Sequence, residues 1–582
     1  MKMLCIKLTG NVAFENRMKM TEGFRYDIPI DSQGIPFIPV ASLLPEEIIK
    51  NIRVGYAFPE GYDGYLAAAH NLVKMMRGIA PQIRSIFTEE RYYPEEGCWI
   101  RSLKAGQTFL ATVHKETDSN ALAQALQSVR RIGIQKEGIS GEVKCSLIDK
   151  KTEQKRTKHF PDNLTYEHLT YTVTPLTPVC IYAPYADGVR TMTYIPGRTM
   201  REELEKIVET NLKTKLNSIR FSNAYISDRL SRLLPVPLCM SLVKLEKTQL
   251  HYRLAPGKDS NRTDQDVTMG DAYTDSFENP TTVYTKPETE RITSRDGVMY
   301  DALCPGQMFR GIIYGENNDL RELAHFFLNH PLMFLGNLSE EGFGEVYVRF
   351  EQLHEKKIDS EHLVRSFDVS CLSPTLILND VGIPDTSAGG FSGEIERILD
   401  QRGNLKVIGR YMDVYMDSAY EPGWGQDGAV VRCLAKGSVM RLASKDGTPI
   451  DISPILHTYI GERTRDGYGE IMAYPALGTY YRAAELLPPE KYTTQFPSSR
   501  RTLQLSVDLT GKVLNMLIKN SVQYLAFMDR DDQKETDADA DFIPMELLRA
   551  IRDRYSSDIS DRTLAKWYLE GLEEDRDGFF SV

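Results

Sequence analysis

The sequence predicts an α+β protein made of tandem ferredoxin-like βαββαβ units with glycine-rich loops, followed by a C-terminal helical extension. Three observations carry this expectation. A glycine loop recurs three times with matched flanks. A strand-like, apolar-rich run follows each copy. Beyond Pro488 the apolar residues recur at three and four, the helical spacing.

The loops are Arg130-Arg131-Ile132-Gly133-Ile134-Gln135-Lys136-Glu137-Gly138-Ile139-Ser140-Gly141-Glu142-Val143, Phe334-Leu335-Gly336-Asn337-Leu338-Ser339-Glu340-Glu341-Gly342-Phe343-Gly344-Glu345-Val346 and Ile460-Gly461-Glu462-Arg463-Thr464-Arg465-Asp466-Gly467-Tyr468-Gly469-Glu470-Ile471. Each reads apolar-Gly, a polar insert, then Gly-x-Gly-Glu-apolar, with one extra residue between the last two glycines of the first. Without a Cβ these glycines can take positive φ and turn backbone N–H groups towards one point, a nest suited to an anion. The competing reading is three ordinary tight turns before strands. Three copies with matched flanks favour a shared fold unit.

The first unit, 1–160, opens on an alternating strand at Met1–Leu8. The Pro-bounded piece Gly34–Ser42 is expected to be extended and to turn into a helix near Pro45-Glu46-Glu47. Asp63–Arg77 carries a helical stripe, Phe109–His114 reads as a strand and Ser119–Arg130 as a helix entering the first loop. That order fits a βαββαβ unit. Polar, Lys-rich Asp149–Asp162 reads as a linker.

The second unit, 161–360, begins at Leu169–Pro175. Thr193–Leu204 passes from a strand through Pro196-Gly197 into a helix whose first turn presents Arg198 and Arg201. Residues 253–295 are polar and turn-rich and are expected to form a long mobile insertion. A helix at Asp319–Leu328 then leads to the second loop. The third unit, 361–487, starts at Ser366–Leu372 and ends after the third loop. The last region, 488–582, is read as a small acidic docking bundle, with helices at Met545–Tyr555 and Thr563–Leu572 after an acidic linker at Asp529–Asp541.

Composition narrows the function classes. The chain has 582 residues, enough for several domains, with 41% hydrophobic and 26% charged content. No apolar run is long enough to span a bilayer and the start has no signal-peptide architecture, so a cytoplasmic protein is expected. The eight cysteines lie apart, with no Cys-x-x-Cys pair and no histidine at ligand spacing; no metal, disulfide or cofactor is expected. The net charge of −11 by itself argues against nucleic-acid binding. However, Asp531–Val582 holds 15 acids against 7 bases, which leaves the rest of the chain at −3, near neutral and able to carry basic grooves.

A series of motifs between 168 and about 480 carries a family resemblance. In order they are Tyr194-Ile195-Pro196-Gly197-Arg198-Thr199-Met200-Arg201, Ser222-Asn223-Ala224-Tyr225 with Pro235 and Pro237, Pro305-Gly306-Gln307-Met308-Phe309-Arg310-Gly311, Gly423-Trp424, Lys436-Gly437-Ser438-Val439 and the third glycine loop. Units that end in a glycine loop before a strand resemble the RAMP superfamily of CRISPR-associated RNA-binding proteins. The ordered set resembles the Csx-ten family, Cas-five-like subunits of type III-D effectors. The second loop lacks the basic residues common in RAMP loops, and the first 160 residues and the acidic tail lie outside the close match.

The resemblance implies a non-catalytic subunit that holds CRISPR RNA near its 5′ repeat-derived tag. Its implied partners are RAMP backbone subunits, the large polymerase-like subunit and, indirectly, target single-stranded RNA. Through its motifs it adds Arg310, Lys436 and Ser438 to the RNA-binding candidates. The residues point the same way on their own chemistry. Arg463 and Arg465 in the third loop, and Arg130, Arg131 and Lys136 in the first, are placed to grip phosphates. Arg198 and Arg201 sit at an expected helix N-terminus. Trp424, Tyr468 and Phe343, flanked by glycine, are candidates to stack on splayed bases.

Competing readings exist for most of these. Glu462, Asp466 and Glu470 are at hand for Arg463 and Arg465, and Glu202 or Glu205 for Arg198 and Arg201; glycine-flanked aromatics often pack in cores. The rival function is a metal-independent RAMP endoribonuclease using His457 or His159 as general acid–base. Loop aspartates Asp264, Asp266, Asp271 and Asp275 could be offered for target cleavage, although composition accounts for them as solvated chain. A third class is a protein-only scaffold.

Overall fold

A computed structural model describes residues 2–15, 24–30, 35–40, 53–62, 65, 84–115, 126–149 and, with short interruptions, 160–487. These residues fall into two compact units, one within Met1–Lys151 and one within Thr152–Tyr492. They are mostly β-sheet with few helices. None of the described helices is long and apolar enough to cross a membrane. The expected helix at 45–47, most of those at 63–77 and 119–130, most of the linker and the whole region after Leu487 lie outside the described residues.

In the N-terminal unit, β1 (Lys2–Leu8), β2 (Arg53–Val54), β3 (Thr88–Tyr93), β4 (Cys98–Leu103), β5 (Thr108–Lys115) and β6 (Val143–Asp149) follow in order. Antiparallel β1 lies between β5 and β6, and β2 continues the sheet beyond β5. Strand β1 alternates as its sequence does: Leu4, Ile6 and Leu8 are buried in the core with Phe109, Ala111 and Val143.

The larger unit repeats this plan twice. Its first sheet comprises β7 (Tyr166–Pro175), then after α1 (Gly197–Ile207) β8 (Arg220–Phe221), the hairpin β9 (Thr289–Thr293) and β10 (Met299–Leu303), β11 (Phe309–Tyr314), α2 (Asn317–Asn329), β12 (Leu332–Phe334) and β13 (Glu345–Glu355). Here β7 lies between β11 and β13, with β8 beyond β11. Its second sheet uses β14 (Ser366–Cys371), α3 (Ala388–Ile398), β15 (Leu405–Tyr411), the hairpin β16 (Val414–Glu421) and β17 (Gln426–Leu434), β18 (Val439–Ser444), β19 (Thr458–Tyr459) and β20 (Glu470–Pro475). Strand β14 lies between β18 and β20, with β15 beyond β18. Among the described residues no second long helix precedes β20; a 3-10 turn at Ser453–Ile455, with Pro454 in its first positions, stands there instead.

One hydrogen-bond frame holds all three copies. The residue after the first loop glycine donates its N–H to a carbonyl beyond the opening strand: Ile134 to Ala13, Asn337 to Cys180 and Glu462 to Leu376, at 2.7–2.8 Å. The last glycine donates to Asn11, Pro178 and Pro374, at 2.8–2.9 Å. The hairpin that precedes the third strand of each sheet is tied to the same segment by reciprocal bonds, Val12 with Leu103, Val179 with Leu303 and Thr375 with Leu434. The glycine requirement follows from this packing. A Cβ on Gly133, Gly336 or Gly461 would overlap the Ala13, Cys180 or Leu376 carbonyl oxygen, and each of these glycines has φ between 72° and 81°.

The stretch 253–295, expected to be a mobile insertion, is a correction in its described part. Asp266–Thr268, Tyr273–Thr274, Thr282–Tyr284 and β9 are strands. Tyr273, Phe277 and Val283 are buried, so apolar residues four and six apart override the polar composition around them. Asp266 is in the first of these strands, and Asp275 accepts from the Thr274 hydroxyl at 3.3 Å as part of a turn. Asp264 and Asp271 lie outside the described residues.

Candidate nucleic-acid interface

The third glycine loop packs against the start of α1. Pro196 sits at the N-cap of α1, its fixed φ suited to a helix entry, and the Gly197 N–H donates to Asn223 Oδ1 at 3.0 Å. Gly467, at φ 89°, leaves no room for a side chain against Asn223 and the Gly197 amide. Residues from three separate sequence motifs therefore meet at one seam. Arg201 spans it, 3.0 Å from Glu205 on its own helix and 2.6 Å from Asp466 of the loop.

Beneath the seam lies a buried charge pair that sequence reasoning missed. Arg232 binds Glu470 through both carboxylate oxygens, donates to the Asn223 carbonyl at 2.8 Å and lies 4.8 Å over the Tyr225 ring. The His457 Nε2 donates to Glu470 Oε1 at 2.8 Å, which leaves Nδ1 to accept the Tyr314 hydroxyl at 2.8 Å. Burial opposes ionisation of Glu470, yet the Arg232 charge and the hydrogen bonds from Arg232 and His457 hold its carboxyl down at about 2. Close by, His168 stacks on His354 with ring centroids 4.4 Å apart; burial, and then the neighbouring His354 and His457, push it down to about 4. The sequence had singled out Glu470 in the Gly-x-Gly-Glu pattern, His457, and Asn223 with Tyr225 in their motif, but nothing in it pointed to Arg232. Arg232 lies 238 residues from Glu470 along the chain.

The predicted site residues separate into groups. Arg198, Arg201, Arg463 and Arg465 come together at the seam. Arg198 lies 3.8 Å from Glu202, while Arg463 is left-handed at φ 57°. Arg465 is exposed and has no hydrogen-bond or ion-pair partner among the described residues. In the N-terminal unit Arg130 is exposed, Arg131 pairs with Glu142 at 3.3 Å, and Lys136 pairs with Glu96 while lying 4.5 Å over the Tyr26 ring. Arg310 is buried against Glu351 at 2.8 Å. Lys436 lies 5.3 Å from the centres of the Tyr194 and Tyr273 rings.

Four expectations are corrected. The anion nests are narrower than expected, because in each loop the amide after the first glycine and the amide of the last glycine are committed to carbonyls of the frame. Tyr468 is buried with Leu376 and Cys433, and Phe343 is buried as well, so neither faces a base; flanking glycines let these rings turn into the core. Ser438 is wholly buried and its hydroxyl binds the Asp413 backbone, 3.2 Å from the N–H. The ion pairs of Arg131, Lys136, Arg201 and Arg310 leave much of the expected cationic surface neutralised. Trp424, in the connection between β16 and β17, and His159 lie outside the described residues.

Among the described residues no group of histidine, cysteine, aspartate or glutamate is arranged to hold a metal ion. What the seam offers chemically is guanidinium groups at the rim of a rigid loop, above a locked internal charge pair.

No known protein-family model matches the chain, and no curated protein matches it. Solved structures do. One is a type III-B Cmr-beta complex bound to cognate target RNA and AMPPnP, with 10% identity, a TM-score of 0.27, and coverage of 47% of this chain and 86% of that one. A Cas6-related protein from Pyrococcus furiosus gives 10%, 0.27, 53% and 98%. A Csm1-Csm4 cassette in complex with one ATP gives 12%, 0.22, 55% and 99%.

Proposed function

We propose that this chain is an RNA-binding subunit of a type III CRISPR effector, III-D-like. On this reading it holds CRISPR RNA near the 5′ tag and docks backbone subunits and the large polymerase-like subunit, with target RNA engaged indirectly. The three sheets are then tandem ferredoxin-like units of a RAMP protein, at 1–160, 161–360 and 361–487. Their pairing supports this: in each, the first strand lies between the third and the last, and the second strand lies outside the third. The observation that carries the reading is the seam, where motifs of the resembling series converge as Gly197, Asn223 and Gly467 and set Arg463 and Arg465 at its rim.

The test is RNA affinity against salt. Wild-type chain is expected to bind single-stranded RNA at micromolar or tighter Kd, weakening steeply as salt rises. Arg463→Glu with Arg465→Glu should cost at least about tenfold and flatten the log–log salt slope by about 1 to 2, as expected for two lost phosphate contacts. Binding that ignores both salt and charge reversal overturns the reading.

A metal-independent endoribonuclease is the second reading, and the Tyr314–His457–Glu470 chain favours it because a general acid–base needs such an oriented imidazole. Against it, both ring nitrogens are engaged, and they bridge strands of two sheets. The expected result is that RNA stays intact in chelator and that His457→Ala lowers Tm without changing RNA integrity. Cleavage in chelator that vanishes in His457→Ala would establish the nuclease.

A further inference from the structure

Strand β15 is the outer strand of its sheet. It pairs with β18 along one edge, and among the described residues no strand occupies the other. An open edge offers unpaired N–H and C=O groups, which proteins usually blunt with charge or a bulge. Strand β15 has both, in Lys406, Arg410 and a bulge between Val407 and Gly409. It nevertheless keeps apolar residues outside. Val407, Ile408 and Tyr411, with Val414 and Met416 of the adjoining β16, are between 36% and 46% exposed. Arg432, opposite Met416 in the hairpin, adds a third exposed cation. Among the described residues none of the three cations has an ion-pair partner. The adjacent acid, Asp413, accepts from the Val414 N–H at 2.8 Å.

The register decides which side each residue takes. Lys406 and Tyr411 sit opposite Ala443 and Val439, whereas Val407 and Arg410 sit opposite Leu442 and Met440. Each face of β15 therefore presents one exposed cation and one exposed apolar side chain, with Ile408 at the bulge and Leu405 buried. We propose that β15 is a docking edge for another protein of the assembly, which adds an extended strand bearing an acidic and an apolar residue on each face. Main-chain bonds along the edge supply affinity, and the alternating side chains supply selection. Four of the five exposed apolar residues are aliphatic, which favours a protein strand over splayed bases. A second copy of this chain fits poorly. Antiparallel pairing of two β15 strands about Ile408 sets Lys406 against Arg410 twice, and like charges directly opposite are destabilising.

The inference rests on the effector-subunit reading, so the test separates the two. The full chain is co-expressed with the other subunits of its effector as wild type and as Lys406→Glu with Arg410→Glu. The variant is expected to keep the free chain's Tm and RNA affinity while its recovery in the complex falls at least about tenfold. In the wild-type chain, the amides among 406–411 that point away from β18 are expected to exchange hydrogen fast when free and at least about tenfold more slowly in the complex. Equal recovery with unchanged exchange overturns the docking edge. Protection at 406–411 from RNA alone, or from raised concentration of the chain by itself, also overturns it by naming a different occupant. A wild-type chain that enters no complex overturns the effector reading, and the edge with it.

Discussion

Replacing Arg232 by alanine should lower the unfolding free energy by roughly 3–5 kcal/mol, the cost of leaving a buried carboxylate without its cation. Glu470 has no exposed surface and Arg232 very little, so water cannot take the place of the lost guanidinium. The pair also joins two sheets: Arg232 follows the second strand of one, and Glu470 opens the last strand of the other. The pH dependence has a definite sign. A folded-state carboxyl held at about 2 contributes stability that is fully present above the ~4.3 of an unfolded glutamate and is lost as pH falls through the folded value. The Arg232→Ala deficit should therefore shrink when denaturation is repeated at acid pH. Replacing both partners, Arg232→Met with Glu470→Leu, should recover much of the loss, because two apolar groups leave no charge uncompensated. A deficit under about 1 kcal/mol for Arg232→Ala at pH 7 would show that the pair does not hold the seam.

Gly461→Ala should be nearly as damaging, at roughly 2–5 kcal/mol, from a left-handed backbone together with an overpacked contact. The new methyl meets the Leu376 carbonyl oxygen, a backbone atom that accepts the Glu462 N–H at 2.8 Å and cannot withdraw without breaking the frame. Gly403→Ala is the matched control. Its φ of 73° is almost the same as the 72° of Gly461, but a Cβ there meets nothing within 4 Å, so it should show the backbone cost alone, about 1–2 kcal/mol. Thermal denaturation of the two variants measures the difference. Equal losses would mean that the repeated frame contributes nothing beyond the conformation of its glycines.

The glycine spacing was legible because a missing Cβ is a property of the sequence itself. The expected positive φ is found at Gly133, Gly336 and Gly461 alike. The opening strands at Lys2–Leu8 and Ser366–Cys371 and the helix at Asn317–Asn329 were legible for a similar reason, since alternation and the three-four stripe are local signals. Much of the candidate site was not. Arg201 looked like a phosphate ligand at a helix N-terminus, but folding brings Asp466 to 2.6 Å from it across 265 residues of chain. Tyr468 looked like a stacking ring, but the turn that its glycine neighbours permit points it into the core. The strands within 253–295 were hidden because few apolar residues, widely spaced among polar ones, give no periodic pattern.

By itself the sequence determined where the backbone can bend, which strands alternate and which loops carry arginine, because these depend on neighbours within a few residues. Only the tertiary structure decided which arginines stay free of carboxylates, which amides are already bonded and which strand edge is left open. Charge and hydrogen-bond partnership are settled by what folding brings within about 4 Å, and that distance bears no relation to separation along the chain.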